Sequence, residues 1–350
     1  MLKSFFGKFS KDIGVDLGTS NTLVYVKGKG IVINEPSVVA INLRTDQILS
    51  VGEEARRMLG KTPQHISAVQ PLRNGIISDF EVAEKMMKYF VDRIHKESFS
   101  FAPRPRIIIG VPLDITEVER KAVEDVAVSA GAREVHLIEQ PVATSIGARL
   151  PIQEASGSMI IEIGGGKTEI AVISLGGIVA SKSLKIAGEK LDNDIIDYIR
   201  EKYNVFLGER SAEQTKIKIG SVLPLEKGLR IKVRGRNLLN GLPKEIVIKS
   251  DEIRDAIKRS IDSIVVAVKD VIEQTPPEIV SDLYQKGMIL SGGGAGLRGL
   301  DKLIYEETLI PVTIADDPLT TVVRGIGIVL EDFDNLKDLF LPPASDHRRR

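Results

Sequence analysis

The stretch that most constrains this chain is Gly157–Val172, GSMIIEIGGGKTEIAV. An apolar run, Met159, Ile160, Ile161 and Ile163, enters three glycines, Gly164, Gly165 and Gly166; Lys167 and Thr168 follow, and then a second apolar run from Ile170 to Ile173. The pattern predicts strand, tight glycine turn, strand. Glycines at such a turn are expected to supply positive φ and to let backbone N–H groups come close to a bound anion. A single GGG is weak, because most glycine turns are only turns. Its weight comes from a second copy, Gly14–Val26, GVDLGTSNTLVYV, which matches without gaps at an offset of 146 residues, so that Asp16 falls on Glu162, Gly18 on Gly164, Thr22 on Thr168 and Val24 on Ile170. An acid-bearing hairpin bend in each half predicts a duplicated fold. The two bends, facing each other across a cleft, would grip a polyphosphate from both sides, with the acids holding a divalent cation through water.

At 350 residues the chain suits two domains, each able to bury its own core. Its 48 basic and 48 acidic residues balance, so no global field points to nucleic acid. With no cysteine there are no disulfides and no thiolate metal sites, which fits a reducing cytosol. The histidines, His65, His95, His136 and His347, are scattered singly and read as structural or solvated. No apolar run approaches the roughly 18–20 residues of a spanning helix.

In residues 1–11, Leu2, Phe5, Phe6 and Phe9 recur at helical spacing beside Lys3, Lys8 and Lys11. This is either an amphipathic membrane-surface segment or a terminus packed on the first domain. Strands are expected at 13–17, 22–26, 31–33 and 37–41, with 27–30 as a hairpin turn. Helices are expected at 51–61, at 80–98 and, opened by a Thr116/Glu119 capping box, from 116 to 131. Strands at 106–111 and 135–138 and a helix opened by Gln140-Pro141 complete an α/β layered first lobe, 12–150. The second lobe, 151–335, repeats the order. Strands lie at 158–163, 168–174 and 177–186, then helices at 190–202 and 211–219. A strand-rich excursion over 228–247 turns at Gly235 and Asn240-Gly241. A long helix, 251–275, starts from Ser250 as N-cap. Strands at 288–290 and 312–314 and a helix at 319–330 close the lobe. Residues 336–350 read as a flexible tail.

With these elements placed, five ordered blocks resemble the actin-like ATPases, and among them the bacterial MreB family: Asp16–Asn42 and Ile163–Val179 as the two phosphate loops, Gly75–Met86, Ser291–Asp301 as the adenosine motif, and Asp316–Glu331 as the closing segment. The resemblance implies two duplicated RNase H-like domains around a nucleotide cleft. It also implies ATP with Mg²⁺, and head-to-tail protofilaments that pair antiparallel on the inner face of the cell membrane. Residue by residue, it places Gly18, Thr19, Ser20 and Asn21, and Gly164, Gly165, Gly166, Lys167 and Thr168, on phosphate. Asp16 and Glu162 fall on the hydrated Mg²⁺. Gly188, Glu189, Glu213 and Lys216 line ribose and adenine, and Gly292, Gly293 and Gly294 pass under the nucleotide.

Three positions depart from the family pattern: Glu162 stands where Asp is usual, Lys167 where Thr is usual, and Gln140 where Glu helps to place the attacking water. A misplacement of about 1 Å can cost on the order of 100-fold in rate, and Gln cannot take a proton. The expectation is therefore a weak ATPase. A divergent paralogue of the kind found in wall-less helical bacteria, able to partner other MreB paralogues, fits these changes. Phe99 and Phe101 add a second membrane cue beside the N-terminal segment, giving a cytoplasmic protein peripheral on lipid. The competing readings are a non-polymerising membrane adaptor on the same fold and a small-molecule kinase, for which no substrate insertion is evident. A chaperone-type ATPase would need a peptide-binding domain after the last helix.

Overall fold

The computed structural model describes residues 12–96 and 104–344. The membrane candidates Leu2, Phe5, Phe6, Phe9, Phe99 and Phe101 lie outside the described residues. The chain forms two compact units, one holding the chain up to Leu150 together with the segment from Thr320 onward, the other Pro151–Leu319.

In the first unit, β1 (Ile13–Leu17), β2 (Asn21–Val26) and β3 (Gly30–Pro36) run antiparallel in succession. The next strand, β4 (Val39–Asn42), pairs with both β5 (Gln47–Val51) and β6 (Ile66–Val69), two strands that the sequence pattern did not resolve, and the short helix α1 (Glu53–Met58) lies between those two. A two-stranded ribbon, β7 (Leu72–Arg73) and β8 (Ile76–Ile77), leads to α2 (Phe80–Lys96), whose Val82, Met86, Phe90, Val91 and Ile94 are buried. Next come β9 (Arg106–Val111), α3 (Glu117–Ser129), β10 (Glu134–Glu139) and α4 (Gln140–Gly147). The capping box forms: Thr116 N donates to Glu119 Oε2 (2.8 Å) and Glu119 N to Thr116 Oγ1 (3.3 Å). The main sheet has the order β10-β9-β1-β2-β3, with β1, β9 and β10 parallel.

The second unit repeats that plan. β11 (Ser158–Ile163), β12 (Thr168–Ser174) and β13 (Gly177–Leu184) are successive antiparallel strands. They are followed by α5 (Gly188–Tyr203), β14 (Val205–Phe206), α6 (Glu209–Ile219), β15 (Arg230–Asn237), β16 (Pro243–Lys249), α7 (Ser250–Gln274), α8 (Pro277–Lys286), β17 (Met288–Ser291), a 3₁₀ turn at Gly293–Gly296, α9 (Leu300–Thr308) and β18 (Val312–Ile314). The sheet order is β13-β12-β11-β17-β18, with β11, β17 and β18 parallel. This is the first unit's topology strand for strand. Each unit has its own core: Val15, Leu17, Met86, Phe90, Ile107 and Ile109 in one, Ile161, Ile163, Ile195, Ile257, Ile264 and Val268 in the other.

Four expectations are corrected. The last helix, α10 (Thr321–Glu331), belongs to the first unit, so the second unit ends at Leu319 rather than at 335. Its Gly325 lies so close to α4 that a Cβ there would overlap the Ala143 carbonyl, and a Cβ on Gly147 would overlap that of Thr321. Small residues on both helices permit this approach, and Lys27 Nζ secures the far end of α10 by donating to the Leu330 carbonyl (3.0 Å). Gly235 is no turn. It sits within β15 opposite Lys244, where a Cβ would lie 2.5 Å from the Phe206 carbonyl oxygen of β14, a close backbone approach of the kind that selects glycine in a strand. Ser250 is the first residue of α7 and Lys249 its cap; the Ser250 hydroxyl accepts from Leu229 N (3.2 Å) and so ties the helix to the preceding loop.

The fourth concerns the tail, which is held against the first unit as far as residue 344. After α11 (Phe333–Leu336), the Phe333 and Phe340 rings pack on His136, and Leu341 N donates to the Leu137 carbonyl (2.9 Å). Arg120 donates to the Pro342 carbonyl (2.8 Å), and Ala344 N donates to Glu124 Oε1 (3.1 Å). Residues 345–350 lie outside the described residues.

Candidate functional site

The site residues fall in two sets, one per unit. In the first unit, Asp16 stands one residue before the end of β1, between Leu23 of β2 and Gly110 of β9. Asp16 is buried, and burial pushes its carboxyl up to about 7 from the ordinary 3.8; the one opposing influence is Gln140, whose Nε2 donates to Asp16 Oδ1 (3.2 Å). Gln140 opens α4 directly after β10, so the fold itself delivers it to Asp16 across β9. Neighbouring Glu139, half-buried, is also raised by burial.

The turn between β1 and β2 is pinned from below. Ser37 Oγ donates to the Gly18 carbonyl (2.6 Å) and shares a hydrogen bond with Thr22 Oγ1 (2.8 Å), while Ser37 N donates to the Ser20 carbonyl (3.0 Å). Gly18 does not have positive φ, contrary to expectation; glycine is needed there because a Cβ would lie 2.6 Å from the Asn21 carbonyl oxygen. Thr19 was expected to hold phosphate, yet its hydroxyl is buried and accepts from Gly75 N (2.7 Å). Its side chain therefore ties the turn to the β7–β8 ribbon, and the outward-facing groups of the turn are Ser20, which is exposed, and half-buried Asn21.

In the second unit, Glu162 holds the place of Asp16, paired with Glu169 of β12 and Ser291 of β17. The turn Gly164–Lys167 closes through Gly164 N donating to the Lys167 carbonyl (2.9 Å), and none of its glycines has positive φ. The N-terminus of α5 is bound to it: Gly188 N donates to the Gly164 carbonyl (3.1 Å) and Glu189 N to that of Gly165 (2.8 Å). Thr168 is buried and donates to the Ile186 carbonyl (2.6 Å), so it acts as a strut. Lys167 is buried too, and does not point to solvent.

Four charged residues gather between α5 and α6. Lys216 Nζ donates to the Gly188 carbonyl (2.7 Å) and pairs with Asp192 (2.9 Å). Burial, helped by the charges of Glu213 and Glu189, raises Asp192 to about 6 against the opposing pull of Lys216. The expected quartet Gly188, Glu189, Glu213 and Lys216 is thus brought together with a fifth residue, Asp192, that sequence reasoning missed. Its one signal was its place a turn after Gly188, on the same helix face as Glu189.

The glycine loop after β17 lies against the end of β11. Gly292 has φ +80° and a Cβ there would collide with the Ile163 carbonyl; a Cβ on Gly294 would lie 2.7 Å from Ile163 Cβ. The end of β11 crowds these two glycines, and only Gly293 has open space beyond a side chain, Leu319. Gly292 N and Ser291 Oγ both donate to the Pro318 carbonyl (3.0 and 3.3 Å).

Among the described hydrogen bonds, the backbone N–H groups of Thr19, Ser20, Gly165 and Gly166 have no acceptor within the protein. Two turns with unengaged amides beside a buried acid are suited to anionic oxygens and a cation. No group of His, Cys, Asp and Glu among the described residues forms a direct metal cage; a cation held through its own waters needs none.

Comparisons with known proteins give the family. The MreB/Mbl protein family matches residues 10–338. The cell shape-determining protein MreB of Escherichia coli (strain K12) is 51% identical over 340 residues, covering 95% of this chain and 97% of that protein. Mbl of Bacillus subtilis (strain 168) is 47% identical over 329 residues, 94% and 98%. The crystal structure of MreB5 of Spiroplasma citri bound to ADP superposes with a TM-score of 0.89 at 37% identity, covering 94% of this chain and 98% of that one. A MamK double helical filament structure (TM-score 0.77, 22% identity) shares the fold. The chain has the actin-like ATPase fold and belongs to the MreB/Mbl family.

Proposed function

We propose that the chain binds ATP with Mg²⁺ and polymerises into filaments that act at the inner membrane face in setting cell shape or motility. We propose further that it hydrolyses ATP slowly. The observation that carries the reading is the twin turn: an acid, Asp16 or Glu162, at the same register of two sheets of identical topology, followed by backbone amides with no acceptor among the described hydrogen bonds. Both turns serve the phosphates of one nucleotide. The nucleotides in the S. citri MreB5 structures, ADP and AMPPNP, and the cell shape-determining role named for the E. coli and B. subtilis relatives support the same reading.

The residues present fit a hydrated Mg²⁺. Asp16, pushed up to about 7 by burial, becomes a carboxylate at neutral pH when a cation's charge is supplied nearby. Asp16 and Glu162 would hold a hydrated Mg²⁺ through its waters, and the ion would supply charge neutralisation to the phosphates. The amides of Ser20, Gly165 and Gly166 bind phosphate oxygens, and Lys167 adds a point charge to them. The Gln140 amide is anchored by donating to Asp16, which leaves its carbonyl oxygen to accept a hydrogen bond from the attacking water. It orients that water but takes no proton, so positioning works without general-base help, and turnover is slow. Lys216 and the three acids Asp192, Glu189 and Glu213 face the sugar and base.

Residues 1–11 together with Phe99 and Phe101 supply the lipid contact, and self-assembly supplies the principal partner. Sedimentation and electron microscopy with ATP–Mg²⁺, ADP and no nucleotide test the reading, with and without liposomes. Filaments that depend on ATP and pellet with lipid are expected. A protein that binds liposomes but forms no filament in any nucleotide state would instead be a membrane adaptor.

A further inference from the structure

The residue that orients water, Gln140, has a side chain with several rotatable bonds, and its hydrogen bond to Asp16 alone does not fix its stem. The packing above β9 does. A Cβ built on Gly110, the β9 neighbour of Asp16, would meet Ile326 Cδ1 at 3.1 Å, Gln140 Cγ at 3.3 Å and Val322 Cγ1 at 3.5 Å. These three side chains therefore converge on the space above Gly110. A Cβ on Gly14, two residues before Asp16 and on the same face of β1, would lie 2.5 Å from Ile326 Cγ2. Ile326 itself is fully buried and Val322 nearly so. Two strand glycines, normally unfavourable in a sheet, thus admit one isoleucine of α10 down to the backbone beside the acid. The Gly147/Gly325 crossing holds α10 against the helix that begins with Gln140.

We infer that Ile326, assisted by Val322, is a positioning residue for the hydrolytic step: it wedges the Gln140 stem over Gly110 so that the amide reaches Asp16 and its carbonyl faces the water. This deepens, and rests on, the ATPase reading proposed for the twin turns. A helix merely packed on a sheet would need its contacts only for stability, and its truncation would affect rate no differently with or without Gln140. A wedge acts through Gln140, so its loss has no further effect on rate once Gln140 is gone.

The experiment uses the full chain with Ile326→Val, Ile326→Ala, Gln140→Ala and the two double variants, measuring phosphate release, KM for ATP–Mg²⁺ and the side-chain NH₂ signal of Gln140. That signal comes from protein labelled with ¹⁵N-glutamine and is assigned by its loss in Gln140→Ala. Ile326→Val removes one methyl and keeps the fold, which covers the case in which Ile326→Ala does not fold. The expected result is a fall in kcat of about three- to tenfold for Ile326→Val and more for Ile326→Ala, with KM little changed. No further fall is expected in the Gln140→Ala background, and the Gln140 NH₂ signal should move or broaden in both single Ile326 variants. Rate penalties that multiply, or a Gln140 signal identical in all Ile326 variants, would overturn the inference. If the unmodified protein binds ATP but releases no phosphate while the Gln140 signal still responds to Ile326→Val, the hydrolytic reading fails and the wedge stands.

Discussion

The two sheets share strand order and direction, but the helices that come after their last parallel strands go to different places. In the first unit, β10 passes into α4, which stays with its own sheet. In the second, β18 is succeeded by α10, which packs on α4 instead. The two helices meet through matching pairs, Ala143 with Gly147 and Thr321 with Gly325, each glycine lying under a carbonyl of the other helix. Chain order assigns α10 to one half and packing assigns it to the other. Packing decides, because two helices approach this closely only where neither has a side chain in the way.

The turns show a second difference. Asp16 is answered by Gln140, brought in from α4, whereas the corresponding neighbourhood of Glu162 is filled by Ser291 and a glycine loop lying against Ile163. On the proposed reading, both halves of a duplicated scaffold hold phosphate, and the first alone has gained a residue, Gln140, that places a water.

The strongest way to break the comparison is at the helix crossing. Gly325→Val or Gly147→Val must displace a backbone, and a loss of about 3 kcal/mol or more in unfolding free energy is expected, seen as insoluble protein or a large drop in Tm. Gly296→Ala, which has open space around it, is the control and should change little.

Next in size is Asp16→Asn. It should weaken ATP binding about 100-fold in Mg²⁺ and far less in EDTA, measured by calorimetry. The same variant tests the carboxyl's pH behaviour in the nucleotide-free protein. A group raised from 3.8 to about 7 binds its proton more tightly when folded, so it costs stability as pH climbs through that window. Wild type should therefore lose up to about 4 kcal/mol between pH 4 and 7.5 relative to Asp16→Asn, and a parallel pH dependence in the two proteins would contradict the burial argument.

Restoring the usual family residues is expected to have a moderate effect. Gln140→Glu, Glu162→Asp and Lys167→Thr combined should raise phosphate release about tenfold or more, with Gln140→Glu contributing most. The smallest effect is on the base side. Asp192→Asn leaves Lys216 without its carboxylate and should weaken nucleotide binding by about 1 kcal/mol, detectable in a fluorescent-nucleotide titration.

Local chemistry explains which elements were legible in the sequence. Strands at 13–17, 106–111, 158–163, 168–174 and 312–314 have the expected bounds because continuous apolar runs end at glycine, proline or polar residues there. The Thr116 capping box is a contact between residues three apart and needs no tertiary information. The duplicated acid and glycine turn was visible as a gapless repeat. The features that escaped are set by contacts distant in sequence. Gly235 looks like a turn until β14 lies across it, and Ser250 looks like a cap until its hydroxyl is drawn to Leu229 N. The tail LPPA has no periodicity, yet its backbone bonds Leu137, Arg120 and Glu124. The reason for glycine at 18, 292 and 294 was likewise hidden, because crowding by Asn21 and Ile163 exists only after folding.

The most direct test of the central claim is a crystal structure of the protein with AMPPNP and Mg²⁺. The account predicts phosphate oxygens within hydrogen-bond distance of backbone N–H groups from both Ser20 and Gly165–Gly166, with Asp16 reaching the cation through water. Phosphates held by one turn alone, or by neither, would contradict it.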